Sequence, residues 1–231
     1  IPSFYGRPHG MYSSDCVSVR DGCLRLQARE MRPEEKTREN LARGFDRFVT
    51  SAVKQKEKCL YGYFEARLKA ADAGITTAFW LYDPLSDQPE RKYRAGSASE
   101  EIDIVEIWGK CPKPAFSNFC YATVHRFETP YVEGLVNAVQ TTLPDKQRHA
   151  FLPLDFTGEF HTYGFLWTKD KMVWYVDGKE FHRRKNDYYH TPLHVVFDCE
   201  VQGHWHGLPE EKDMPATVEV DYFRRWTQLE R

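Results

Sequence analysis

Apolar and polar residues alternate along most of this chain with the two-residue period of a strand. No segment holds an amphipathic helical period for more than three turns. The alternation predicts strands near 15–19, 23–29, 48–55, 61–70, 74–82, 99–108, 118–126, 161–168, 171–177, 192–202 and 216–226. Turn chemistry punctuates them at Arg20-Asp-Gly22, Asp83-Pro-Leu-Ser86 and Asp177-Gly178. Many short strands so spaced predict an all-β sandwich of two antiparallel sheets. Residues 31–44, rich in Glu, Arg and Lys, form a polar excursion expected to hold a short helix or to be mobile. Long connections at 84–98, 109–117, 128–159 and 203–215 are expected to wall a binding groove. With no internal repeat and no low-complexity linker, residues 1–231 read as a single domain.

One strand breaks the alternation. Residues 99–109 read Ser-Glu-Glu-Ile-Asp-Ile-Val-Glu-Ile-Trp-Gly. Glu101 and Asp103 share one face and Ile102 and Ile104 the other, but position 106 is Glu and position 107 is Ile, so the phase slips by one. A β-bulge at Ile104–Val105 repairs it, returning Glu106 and Trp108 to the acidic face and Ile107 to the core.

The slip has a chemical consequence. With one residue absorbed, Glu101 and Glu106 stand four strand steps apart, roughly 13 Å along the strand. Side chains leaning together reduce that to about 5 Å, the separation of a retaining glycosidase pair. Asp103 lies between them, and three carboxyls so close have their pKa values driven apart. One then stays ionised as nucleophile and one stays protonated as acid. A solvated acidic face and a cation-binding carboxylate set are the alternatives; like charges stacked on one strand face are destabilising, which favours the catalytic reading.

Parity extends to other strands. Thr77, Phe79 and Leu81 form one face, while Thr76, Ala78, Trp80 and Tyr82 form the other, where an indole among small polar residues suits the C–H face of a sugar. Cys120, Ala122 and Val124 point inward, leaving Tyr121, Thr123 and His125 outward, with His125 able to hydrogen-bond a carboxylate or a sugar hydroxyl. Phe197, Cys199 and Val201 face inward, and Asp198, Glu200 and Gln202 face the other way. Trp205 and His206 follow in a loop with no packing pattern. The basic run from Glu90 to Arg94 leads into the acidic strand, and Arg94 is a candidate for holding sulfate or carboxylate by bidentate bonds.

Composition narrows the partners. Aromatic residues make up 15% of the chain, which serves a sandwich core and a sugar groove equally. The formal net charge of −2 gives no whole-chain argument for nucleic acid or membrane binding, and no apolar run is long enough to span a bilayer. The six cysteines lack metal-ligand spacing. Cys199 reads as a small core residue, and Cys111 and Cys120, flanking a Pro-rich connection, are candidates for a bridge. The chain begins Ile1-Pro-Ser-Phe without initiator Met or signal peptide, and its N-terminus reads as trimmed.

The run Glu101-Ile-Asp-Ile-Val-Glu106 resembles the catalytic signature of glycoside hydrolase family 16, the laminarinase, agarase, porphyranase and carrageenase group. Tyr61-Gly-Tyr-Phe-Glu-Ala-Arg-Leu-Lys69, Ala78-Phe-Trp-Leu81, Phe160-His-Thr-Tyr-Gly-Phe-Leu-Trp167, Val173-Trp-Tyr-Val-Asp-Gly178 and Val220-Asp-Tyr-Phe-Arg224 resemble further strands of that family. The resemblance implies a β-jelly-roll with a concave groove and endo-acting, retaining cleavage of a β-linked polysaccharide. Glu101 would then be nucleophile, Glu106 acid and base, and Asp103 the residue orienting the nucleophile. Asp-Cys-Glu-Val-Gln202 with Trp205 resembles agarases and porphyranases, which would give Glu200 and Gln202 hydrogen bonds to the sugar and point to agarose or sulfated porphyran. Trp108 joins the binding set by its place on the acidic face. The resemblance further implies a structural calcium, with Asp221 and the Asp21-Gly22 turn as parts of its site, no cofactor for catalysis, and a secreted, periplasmic or cell-surface monomer whose partner is its polysaccharide. A laminarinase, a carrageenase and a non-catalytic jelly-roll lectin are the competing readings.

Overall fold

The computed structural model describes residues 5–83, 97–111, 119–129, 131–132, 135–136, 139–141, 147–151 and 154–227. In chain order its strands are β1 (Gly6–Arg7), β2 (Gly10–Tyr12), β3 (Val17–Arg20), β4 (Cys23–Glu30), β5 (Phe48–Lys54), β6 (Gly62–Lys69), β7 (Thr76–Asp83), β8 (Ser97–Trp108) and β9 (Phe119–Thr129). There follow β10 (Tyr131–Val132), β11 (Leu135–Val136), β12 (Val139–Thr141), β13 (Gln147–Phe151), β14 (His161–Trp167), β15 (Lys171–Val176), β16 (Lys179–Lys185), β17 (His194–Glu200) and β18 (Ala216–Trp226). None of the described helices is long and apolar enough to cross a membrane.

Two layers form a jelly-roll sandwich. The front layer runs β12-β9-β8-β7-β17-β5, and the back layer runs β4-β18-β6-β14-β15-β16. The layers are not separate sheets, because β4 and β5 pair at Arg29↔Val49 and Glu30↔Phe48 and carry the ladder from one into the other. One pairing departs from the expected antiparallel order: β2 lies parallel to β5.

The alternation read from the sequence is the alternation of the core. Phe64, Ala66 and Leu68 of β6 are fully buried, and Tyr63, Glu65, Arg67 and Lys69 between them are partly exposed. Front-layer Phe79 and Phe197 stack at 4.6 Å and 6°, and Phe223 of the back layer meets both edge-on at 5.8 and 5.9 Å. Such aromatic pairs add about 0.5–1.5 kcal/mol each beyond their buried area.

Both Asp-Gly turns stand where the sequence predicts them. Asp21 and Gly22 adopt φ of 52° and 80°, and Asp177 and Gly178 adopt 48° and 73°, the left-handed pair that matches strand twist in a two-residue hairpin. The second turn leads into β16, Lys-Glu-Phe-His-Arg-Arg-Lys, which the hydrophobic pattern does not predict. Its charges are those of an edge strand that resists pairing with another chain. The polar excursion holds a 3-10 turn at Pro33–Glu35 and a helix α1 (Arg38–Ala42), whose first turn is capped by Thr37 Oγ1 accepting from Asn40 N–H at 3.2 Å. The strand expected at 15–19 begins at Val17, after a 3-10 turn over Ser14–Cys16.

Candidate active site

β8 lies between β7 and β9, and its pairing contains the expected bulge. Glu101 stands opposite Tyr82 on β7 and His125 on β9; Asp103 stands opposite Trp80 and Thr123; Glu106 stands opposite Ala78 and Tyr121. Five steps on β8 therefore match four on each neighbour, and the register shifts between Asp103 and Glu106. Ile104 and Val105 both point into the core. The bulge has a partner across the sandwich, where Trp174 of β15 donates its Nε1–H to the Asp103 carbonyl at 3.1 Å. Glu101, Asp103 and Glu106 share the front face. Glu100 points the other way and accepts from the Thr191 hydroxyl at 2.7 Å.

The cluster is crowded and mostly dry. Asp103 and Glu106 are buried, and the Glu101 side chain is 20% exposed. Burial first, and then the charge of Asp103, push Glu101 up to about 8, while His125 and Arg7 pull against that shift. Burial holds Glu106 well above the usual carboxylate range, reinforced by Asp103, Glu101, Asp198 and Glu200. The two glutamates thus differ in their company. Positive groups lie on the Glu101 side, and the leading influences on Glu106 after burial are all negative. Glu106 is the carboxyl suited to retain a proton when Glu101 ionises.

His125 Nε2 lies 3.3 Å from Asp103 Oδ2 and 3.7 Å from Glu101 Oε1, with its ring stacked on Phe127 at 5.8 Å. Glu101, Asp103 and His125 are the one group of acid, Cys or His ligands close enough to share a metal ion among the described residues. A cation there would occupy the lone pairs that Glu101 needs for attack.

Trp80 is half-buried beside Tyr82, and its Nε1–H donates to Asp198 Oδ2 at 2.8 Å, which fixes the indole plane. Burial and Glu200 hold Asp198 well above its usual range. Glu200 is itself engaged, accepting from Arg7 Nε at 2.7 Å and from the Tyr12 hydroxyl at 3.0 Å. Gln202 is buried just past β17, and its carbonyl accepts from the N–H groups of Trp205 and His206 at 3.0 Å each, closing the turn that presents Trp205. Trp205 is 36% exposed. Trp108 departs from expectation: its indole is fully buried beneath His206 at 3.8 Å, Trp205 at 5.1 Å and Tyr121 at 5.2 Å. It supports the Trp205 loop and presents no face to a ligand.

Arg94 and the rest of the basic run lie outside the described residues, as do 84–96 and 112–117 of the expected groove-walling connections, while the connection expected at 128–159 carries β10 to β13, with β12 and β13 paired to β9. Asp221, the residue expected at a structural calcium, is paired with Arg67, whose Nη1 donates to its Oδ2 at 2.7 Å. Asp21 of the neighbouring turn likewise pairs with Arg25, at 3.3 Å. The proposed Cys111–Cys120 bridge is absent: Cys120 faces the inter-layer core, Cys111 packs with Trp108 and Tyr121 on the other side of the front layer, and all six cysteines are free thiols. Cys199 is a core residue, with its Sγ 3.4 Å from Ser51 Oγ.

Sequence reasoning missed Arg7, Tyr12 and Trp174, and it placed Asp198 on the face of Glu200 without giving it a role. The three missed residues have no local signal, since the Arg7–Glu200 contact spans 193 residues and Trp174–Asp103 spans 71.

The model of the β-porphyranase A–D domain of glycoside hydrolase family 16 matches residues 1–228. The κ-carrageenase of Pseudoalteromonas carrageenovora is 28% identical over 195 residues, covering 79% of this chain and 47% of the relative. The β-porphyranase B of Phocaeicola plebeius is 26% identical over 258 residues, covering 96% of this chain and 74% of the relative. The solved complex of the κ-carrageenase from Pseudoalteromonas carrageenovora with an oligotetrasaccharide of κ-carrageenan superposes with a TM-score of 0.76 at 23% identity, over 98% of this chain and 89% of that one. At that identity the likeness is one of fold. This chain spans 31–47% of the length of the first three curated relatives it matches.

Proposed function

The chain belongs to glycoside hydrolase family 16, and we propose that within this family it is a retaining endo-β-glycosidase acting on an algal galactan, agarose or sulfated porphyran. The observation that carries the reading is the bulge at Ile104–Val105, which sets Glu101 and Glu106 on one face four neighbour-strand steps apart with Asp103 between them. Glu101 attacks the anomeric carbon as Glu106 gives its proton to the departing glycosidic oxygen. A covalent glycosyl-enzyme forms and the sugar chain is cut. Glu106, now ionised, takes a proton from water, whose oxygen displaces Glu101 from the anomeric carbon.

Asp103 orients Glu101 and, through its charge, helps to keep the proton on Glu106. Trp80, locked by Asp198, offers its ring to one sugar, and Trp205 offers another stacking surface beyond Glu106. Glu200 and Gln202 edge the same face, and Arg94 would recognise a sulfate. The porphyranase-type family match supports a galactan. The 28% identity to a κ-carrageenase keeps that sulfated galactan as the second reading. A lectin gains nothing from three carboxyls compressed on one strand face. A secreted, periplasmic or cell-surface location rests on the family resemblance alone.

Reducing-end release from agarose, porphyran, κ-carrageenan and laminarin tests the assignment. Preference for agarose or porphyran is expected. Preference for κ-carrageenan or laminarin would move the enzyme elsewhere in the family, and binding without any product would favour a lectin. Glu101→Gln should keep the fold and lose turnover by orders of magnitude.

A further inference from the structure

The carboxyls of the front face meet a guanidinium delivered from the far end of the chain. Arg7 donates Nε–H to Glu200 Oε2 at 2.7 Å, and the Tyr12 hydroxyl donates to Glu200 Oε1 at 3.0 Å. Arg7 keeps 42% of its side chain exposed, whereas Glu200 keeps 6%. The contact exists because the hairpin β1–β2 docks along β5. Phe48 N–H donates to the His9 carbonyl at 2.7 Å, His9 N–H to the Gly44 carbonyl at 2.7 Å, and Ser13 N–H to the Thr50 carbonyl at 3.0 Å. The hairpin is tightly specified: Gly6 adopts φ of 124°, and a methyl group there would run into the Gly10 carbonyl. Gly10 in turn sits against Val201, the residue that follows β17. Backbone bonds therefore place Arg7 without help from the acids it meets.

We propose that Arg7 is a positioning residue of this active site, fixing the Glu200 carboxylate on the front face and adding its positive charge to the acidic cluster there. The proposal rests on the glycosidase reading of Glu101. The groups that share this environment come from four sides: Glu200 and Asp198 on β17 with His204 beyond it, Tyr12 on β2, Glu101, Asp103 and Glu106 on β8, and His125 on β9. Burial raises Glu101 and Glu200, and Arg7 opposes both shifts. Arg7 does not figure among the leading influences on Glu106. Its removal should thus raise the nucleophile toward the acid and narrow the pH range in which one is ionised and the other protonated. An arginine that merely stapled the N-terminal hairpin would do none of this.

The test compares Arg7→Gln and Arg7→Lys with the wild type in the intact chain. In Arg7→Gln the acidic limb of the kcat/KM profile is expected to move to higher pH, because a positive charge that lowers Glu101 is lost. In Arg7→Lys it should stay near the wild-type position. Independently of activity, Arg7→Gln should lower Tm more at the alkaline end of the pH range, where the Glu200 carboxylate pairs with Arg7, than at the acidic end, where protonation of Glu200 removes the pair. An unmoved limb together with an equal Tm loss at both pH values would reduce Arg7 to a hairpin staple and overturn the proposal. Should the wild type cleave none of the polysaccharides, the glycosidase reading falls, and the pH dependence of the Tm loss still decides whether Arg7 is the counter-charge.

Discussion

Trp174 and Asp103 face each other across the core, with the indole N–H of one bonded to the backbone carbonyl of the other at 3.1 Å. That carbonyl sits at the edge of the bulge, where the ladder to β9 is interrupted between Asp103 and Glu106. A buried carbonyl without a donor is costly, so the back layer supplies what the broken ladder withholds. Fold and chemistry meet at this bond: the same irregularity that frees the carbonyl turns Glu106 to the face of Glu101.

Trp174→Phe removes the donor and leaves a smaller aromatic ring in its place. The loss should be at least about 1–3 kcal/mol of stability, the cost of stranding a buried polar group, with the space left by the indole adding to it. Turnover should fall further than the unfolded fraction explains, because the bulge that aims Glu106 is loosened. Thermal unfolding and kcat measured on the same preparation, well below Tm, check both parts.

Glu101 carries a stability cost whose sign follows from linkage. Its folded value of about 8 lies above the usual 4.5, so its contribution to stability is full below about 4.5 and is lost as pH rises through about 8. Glu101→Gln removes that loss. The variant should have a Tm close to that of the wild type at the acidic end of the window and a higher Tm at the alkaline end. A Tm difference that stays flat across the window would mean that Glu101 is not strained by burial and by Asp103.

Asp103→Asn separates charge from shape. Asp103 is the leading neighbour, after burial, in holding up both Glu101 and Glu106. Neutralising it should lower both, moving the acidic and alkaline limbs of the activity profile toward lower pH together. Turnover should also fall, since His125 loses the carboxylate 3.3 Å from its Nε2. A pH–rate series on the variant reads both effects.

Trp205 and Trp108 should behave differently when truncated. Trp205 is partly exposed above a fully buried Trp108. Trp205→Ala should raise KM with little change in Tm, having removed a stacking surface. Trp108→Ala should cost stability, about 3–5 kcal/mol for a large buried aromatic. Steady-state kinetics beside thermal melts distinguish the two.

How much of this was legible before the fold follows from period and range. Strict alternation placed β4 to β9, β14, β15, β17 and β18, and a single break in that alternation located the bulge, because a one-residue slip flips every later side chain. The edge strand β16 escaped because most of its charged residues face solvent, where they discourage pairing with another chain, and give no buried-face alternation to read. Trp108 had the parity of a binding residue; its burial depends on the packing of Trp205 and His206, which parity does not report. Arg7 and Tyr12 were invisible for a related reason. Their partner Glu200 is distant in sequence, and only the parallel docking of β2 on β5 brings them to it.

The central claim is that the bulged strand makes Glu101 the nucleophile and Glu106 the acid and base of a retaining pair. Trapping tests it most directly: Glu106→Ala is incubated with an activated aryl β-glycoside of the oligosaccharide that the wild type releases, whose leaving group departs without an acid, and the digested protein is read by mass spectrometry. The account predicts a glycosyl adduct on the peptide bearing Glu101, localised to that residue, with turnover restored by azide. An adduct on Asp103, or no adduct together with inversion at the anomeric carbon of the wild-type product, would contradict it.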